Sequence, residues 1–167
     1  MYQRILNFQS VGSVNLPDSV QIQPFHKVVL FVHREQVEFF HDVKPDPSVE
    51  LAAAGTARIK AFQPDVVVAL GGGSAMDCAK AMHFFAGSNA KLVAVPTTSG
   101  SGSEVTDFAI LTHEKVKHPL VDERLRPNAA ILDSDLLMEL PKGLIADAGF
   151  DILAHALEGY VGKNAGS

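Results

Sequence analysis

The sequence predicts an α/β fold built on a parallel sheet. Three observations carry that prediction. Short, almost wholly apolar runs recur: Lys27–Val32 (KVVLFV), Val66–Leu70 (VVVAL) and Lys91–Val95 (KLVAV). Segments with helical spacing of apolar residues separate them, as crossover connections between buried parallel strands require. Finally, the best of these strands runs straight into Gly71-Gly72-Gly73-Ser74 and then into an Ala-rich stretch, the signature of a strand–turn–helix unit.

Taken in order, residues 1–27 carry scattered β-branched residues (Val11, Val14, Val20, Ile22) and two prolines, which suit short strands or an irregular arm. Lys27–Val32 is apolar without alternation, as a strand buried on both faces must be. Pro45-Asp46-Pro47 makes a turn, with Asp46 or Ser48 as the N-cap of a helix over Ser48–Phe62, in which Gly55 is a weak point. Val66–Leu70 follows Pro64-Asp65, and Ala75–Phe85 is the next helix. Lys91–Val95 is a third strand, ending at Pro96. Phe108–Leu111 and Ala129–Leu132 are further short apolar runs. From Pro141 the pattern becomes one long amphipathic helix, with a proline at its start and Gly162 past its end. One span is short: between Val32 and the Ser48 helix the chain offers HREQVEFFHDVKPDP, whereas a crossover alone needs about 10–12 residues.

Composition narrows the function classes. In 167 residues, 47% are hydrophobic and 20% charged, an ordinary globular balance that argues against a disordered tail. Net charge is −5, which disfavours a nucleic-acid backbone as partner. No charge-free apolar run approaches membrane length, and no signal-like stretch follows Met1, so a cytoplasmic protein is expected. A lone cysteine, Cys78, excludes an internal disulfide framework and reads as a small core residue.

Two loops carry the chemistry. Where a strand meets three glycines and a helix start, backbone N–H groups can approach an anion, because glycine has no Cβ and the helix terminus adds unpaired donors. Ser74 and Asp77 match a capping spacing, and Lys80 one turn on would offset negative charge. A tight turn without ligand explains the same residues. The second loop, Thr97–Thr106, holds six hydroxyls at the end of the next strand, and in open parallel sheets ligands bind at that edge. A mobile solvated loop is the bland alternative, but two such loops at one edge favour a dinucleotide cleft. On the long helix, Asp151 and His155 stand four apart and project from one face, with Asp147 one turn earlier. A carboxylate and an imidazole so placed can hold a divalent transition metal; a plain hydrogen bond is the other reading. A catalytic metal usually takes three protein ligands, and the other histidines are scattered, so the site would be half-built. Gly149 beside Asp151 would permit close ligand approach, and His113 and His118 fall in a polar turn.

GGGSAMDCAK (71–80), PTTSGSGSEVTDFAIL (96–111), HPLVDERLRPNAAILDSDLL (118–137) and ADAGFDILAHALEGYV (146–161), in this order, closely resemble the iron-containing alcohol dehydrogenases, especially those of the 1-propanol type from diol and ethanolamine utilisation. The resemblance spans about residues 24–162. It implies a parallel-sheet, Rossmann-like nucleotide-binding domain (1–140) followed by the first helix of an all-helical metal-binding domain (141–167). It implies that Gly72, Gly73 and Ser74 hold the NAD pyrophosphate, and that Thr97, Thr98, Ser101 and Thr106 line the cleft with Lys117 close by. It makes Asp151 and His155 the first two metal ligands, for Fe²⁺ or alternatively Zn²⁺. Implied with these are a small alcohol or aldehyde substrate, no nucleic-acid or membrane partner, a homo-oligomer, and a cytoplasmic or microcompartment setting. Departures are also visible. Members are much longer, with two further histidine ligands in the helical domain, and connections after Arg34 and Phe85 are short here. His33 and Arg34 stand where an acidic residue often selects NAD over NADP. Two readings follow. One is an NAD- and metal-dependent alcohol dehydrogenase in which the metal polarises the alcohol oxygen; polyol dehydrogenases and dehydroquinate synthase relatives share that fold with other substrates. The other is a non-catalytic dinucleotide-binding or assembly module lacking a complete metal site.

Overall fold

The computed structural model describes residues 6–8, 12–14, 28–34, 36–41, 43–138 and 140–163. Much of the expected N-terminal arm, including Val11, Val20 and Ile22, lies outside the described residues. Within the arm, β1 (Leu6–Phe8) and β2 (Gly12–Val14) form an antiparallel pair.

The central sheet has five strands: β3 (Val28–His33), β4 (Gln36–Phe40), β5 (Val66–Gly71), β6 (Lys91–Pro96) and β9 (Ala129–Ala130), in the spatial order β4-β3-β5-β6-β9. Strand β5 is buried along its whole length, as its unbroken run of apolar residues requires. The alternation of side chains across it divides the core in two. On one face Val29, Phe31, Val67, Ala69, Leu92 and Ala94 pack against two helices, α1 (Val49–Phe62) and α2 (Gly73–Ala86). On the other, Val28, Leu30, Val68, Leu70, Val93 and Val95 cluster with Val37, Phe39, Ile131 and Leu136.

The α/β class and the parallel pairing of β5 with β6 and of β6 with β9 agree with the sequence reading. Strand β3 does not: it pairs antiparallel with both β4 and β5. The short span noted above is the cause. Arg34, with φ 53°, turns the chain directly from His33 into Gln36, so β3 and β4 form a hairpin where a parallel partner would need a crossover. The crossover through α1 therefore joins β4 to β5, two strands of one direction with β3 between them. A consequence concerns His33 and Arg34. They lie at the amino end of β5 beside Asp65 (His33 Nδ1 to Oδ2 3.4 Å; Arg34 N–H to Oδ2 3.1 Å), at the sheet edge opposite the glycine turn. The position after β3 is thus not where a ribose-selecting side chain would stand.

Helix α1 is capped by Ser48, whose hydroxyl accepts from the Leu51 amide at 3.2 Å. Gly55 is not merely a weak point: a Cβ there would overlap the Met82 side chain, so its absence lets α1 and α2 approach. A second hairpin, β7 (Phe108–His113) with β8 (Val116–Val121), turns through Glu114 and Lys115, both at positive φ as a primed two-residue turn demands. His113 and His118 therefore lie on its two strands, ring centroids 6.5 Å apart, and not in the turn. Helix α3 (Lys142–Val161) buries none of its residues, and Phe150, Leu157 and Tyr160 are exposed.

Candidate functional site

The parallel register of β5 and β6 places Gly71 directly opposite Pro96, so the glycine turn and the hydroxyl-rich loop leave the sheet side by side at its carboxyl edge. The Thr97 amide donates to the Gly71 carbonyl at 2.9 Å, extending the pairing by one rung. Gly71, at φ 149°, turns the chain out of the strand in a conformation that side chains disfavour.

Helix α2 begins two residues earlier than its sequence suggests, at Gly73, with Gly72 as N-cap and no side chain capping it. The Ala75 and Met76 amides both donate to the Gly72 carbonyl, which leaves the Gly73 and Ser74 amides ahead of the first helical hydrogen bonds. These are the donors an anion would use. The loop packs closely over this start. A Cβ on Gly72 would stand 2.7 Å from Thr98 Oγ1, and one on Gly73 would stand 3.2 Å from Ser101 Oγ. Thr98 and Ser101 thus lie over the glycines, while Thr97 is buried at the strand end.

Asp77 and Lys80 behave differently from their sequence reading. Asp77 does not reach back to the Ser74 amide; its Oδ1 accepts from Ser103 Oγ at 2.7 Å and its Oδ2 from the Ile110 amide at 3.0 Å. Lys80 is 1% exposed and does not face an anion site. Its Nζ donates to the Thr106 carbonyl (3.0 Å), Thr106 Oγ1 (3.1 Å) and the Phe108 carbonyl (3.0 Å). Thr106 accordingly presents its hydroxyl to Lys80. The signal that finds this pair is the i,i+3 spacing of acid and base on the helix face that carries Ala and Cys core residues. Burial pushes the Lys80 ammonium down to about 8, against opposing pulls from Asp77, Glu104 and Asp107. Cys78 is buried and its thiol is pushed up to about 12 by burial, and further by Asp77, so it is no nucleophile. Lys117 is exposed on β8 and its Nζ pairs with Asp46 Oδ1 at 2.8 Å, so its charge is already partnered.

Asp151 and His155 meet the same loop from α3. His155 Nδ1 lies 2.9 Å from the Gly100 carbonyl; a carbonyl only accepts, so Nδ1 carries a proton, and in the neutral ring Nε2 then holds the lone pair. That Nε2 is 3.9 Å from Asp151 Oδ1, and both side chains are half exposed. Gly100, at φ 104°, is the point of closest approach: a Cβ there would stand 3.0 Å from Asp151 Oδ2 and from the Ala148 carbonyl. One carboxylate oxygen and one imidazole nitrogen, with the ring oriented from its far side, fit two ligands of a divalent transition metal. Among the described residues no group of three or more His, Cys, Asp or Glu gathers for a metal, so this pair stands as a partial site. A Cβ on Gly149 would stand in open space, so that glycine makes no close approach here. No helix among the described residues is long and apolar enough to cross a membrane.

A glycine turn at one strand end, a hydroxyl-rich loop at the next, and an acid–imidazole pair behind that loop thus stand together at the carboxyl edge of an α/β sheet. Comparison with known proteins shows the family. Residues 15–134 match the profile of the iron-containing alcohol dehydrogenases, and the chain belongs to that family. It is 43% identical over 155 residues to aldehyde-alcohol dehydrogenase 2 of Entamoeba histolytica, covering 75% of this chain and 18% of that protein. It is 42% identical over 136 residues to the 1-propanol dehydrogenase PduQ of Salmonella typhimurium, covering 78% of this chain and 37% of that one. Among solved structures it superposes on 1,3-propanediol oxidoreductase with a TM-score of 0.71 at 35% identity, over 75% of this chain and 38% of the other. The chain thus spans between about a fifth and two fifths of the length of these relatives. The Entamoeba match spreads over 155 positions while using 75% of this chain, so that relative holds internal positions with no counterpart here.

Proposed function

We propose that this chain is the dinucleotide-binding part of an NAD-dependent, metal-dependent alcohol dehydrogenase that interconverts short-chain primary alcohols and aldehydes. In this reading residues 1–140 form the dinucleotide domain and 141–167 open a helical metal-binding domain. The observation that carries it is the position of one loop: Thr98 and Ser101 lie over the glycine turn while Gly100 holds His155 and abuts Asp151. Coenzyme and metal would therefore share a boundary a few residues wide.

The Gly73 and Ser74 amides bind the diphosphate, with Gly72 and Gly73 keeping the approach free of side chains. Neutral hydroxyls from Thr98 and Ser101 add donors without adding charge. Asp151 and the Nε2 of His155 hold the divalent ion, iron in the family's own description, with Zn²⁺ as alternative. The chemistry these groups supply when bound is hydride acceptance by the nicotinamide and Lewis acidity toward the alcohol oxygen. The Gly100 carbonyl holds the proton on Nδ1 of His155, which in the neutral ring turns the Nε2 lone pair toward the Asp151 side. The setting we propose is the cytoplasm and the assembly a homo-oligomer, which light scattering on the eluting protein checks.

The absence of a third ligand among the described residues favours a second reading, a module that binds dinucleotide without turnover. One experiment separates the two. NADH and NADPH are titrated by fluorescence, and NAD⁺-linked oxidation of ethanol and 1-propanol is followed with added Fe²⁺ or Zn²⁺. Binding with metal-stimulated turnover supports the dehydrogenase; binding with none supports the module; failure to bind either coenzyme overturns both.

A further inference from the structure

We propose that Asp77 and Lys80 are positioning residues for the coenzyme: from one face of α2 they hold residues 103–108, and through them the hydroxyl-rich loop, over the glycine turn of the same helix. This rests on the dinucleotide reading above.

A stretch as rich in Gly, Ser and Thr as 97–106 has little of its own to order it, and free it would behave as a flexible coil. Here it is ordered from below. Lys80 donates to the Thr106 carbonyl and hydroxyl at the loop's end and to the Phe108 carbonyl just beyond it, using all three ammonium donors. Asp77 spends one oxygen on the Ser103 hydroxyl and the other on the Ile110 amide, where β7 begins to run alongside α2. Ser103, buried, passes the constraint on: its amide donates to Ser101 Oγ at 3.4 Å, and Ser101 lies against Gly73. A continuous line of contacts thus runs from the middle of α2, through the loop, back to the start of α2. Burying an ammonium is costly unless it is fully hydrogen-bonded, and an apolar side chain at position 80 would fill the space at lower cost. What the ammonium adds is direction, since it accepts only one arrangement of the two carbonyls and the hydroxyl. A loop ordered in the free protein has less freedom to lose when ligand arrives, and that difference appears as affinity.

The rival explanation is that both residues simply hold β7 to α2. The two are separated by measuring NADH affinity together with amide hydrogen exchange in K80M, K80R, D77N and S103A. We expect K80M and D77N to weaken NADH binding about tenfold. Exchange should rise in residues 97–107 while β5 and β6 keep their protection. S103A, which removes a single hydroxyl and spares the buried charges, should show the same pattern more weakly, and serves if K80M fails to fold. K80R should bind more tightly than K80M because it restores a cation. Equal NADH affinity in S103A, K80M and the unaltered chain overturns the proposal, as does a rise in exchange spread evenly over sheet and loop. If the unaltered chain binds no NADH, the dinucleotide reading falls first and this one with it.

Discussion

Lys80 carries its charge into a place with almost no solvent, and the consequences can be read in pH. Its folded-state pKa is lowered to about 8 by burial, whereas a lysine in the unfolded chain titrates near ~10.4. Between these values the unfolded chain holds a proton that the folded chain has released. Unfolding free energy from this group therefore rises from about pH 8 to about 10.4 and is flat below that window. Urea denaturation at pH 7 and pH 9.5 checks the sign: the unaltered chain should gain stability relative to K80M on going to the higher pH. His155 is the other residue whose state is set by one contact. The spacing of Asp151 and His155 is legible in the sequence, but the tautomer is not. It depends on a carbonyl 55 residues away in the chain, at Gly100.

At the scale of elements, the loop between β6 and β7 joins the two halves of the candidate site, and Gly100 is where it touches α3. Its φ of 104° is all but closed to other residues, and a Cβ would press on Asp151 and on the Ala148 carbonyl. Gly100→Ala should therefore cost about 1–3 kcal/mol of stability and break the hydrogen bond to His155. The denaturation midpoint reads the first effect, and the nitrogen NMR shifts of the His155 ring read the second. An unchanged ring signal would show that the bond does not set the tautomer. Composition marks this loop as a linker, since Gly, Ser and Thr dominate it. Its ordering comes from α2, whose DxxK spacing is visible in the sequence although its targets are not. A helix pattern says which residues share a face, but not which segment lies opposite. The same limit explains why Asp77 reads as a cap for Ser74 and is in fact a partner of Ser103 and Ile110.

Across the molecule, one half of the chain is a close-packed sheet with helices on it and the other end is an apolar helix with no residue buried. Phe150 is 73% exposed and Leu157 55%. Because nothing of the sheet's packing rests on them, Phe150→Ser with Leu157→Ser should lower binding of a hydrophobic dye. The denaturation midpoint should stay within about 0.5 kcal/mol of the parent; a larger loss would mean that α3 contributes to the core. The α/β class, strands over 27–32, 66–70 and 91–95, Ser48 as one of two N-cap candidates, the glycine turn and the four-residue spacing of Asp151 and His155 are legible in the sequence. All of these follow from local periodicity, turn chemistry and short spacings, which act between residues close in the chain. The fold alone settles that β3 runs against its neighbours, that Lys80 faces the loop and not an anion, and that the Gly100 loop links the glycine turn to Asp151 and His155. Those outcomes depend on which distant backbone groups compete for the same strand edge or the same buried charge, and no local pattern encodes that competition.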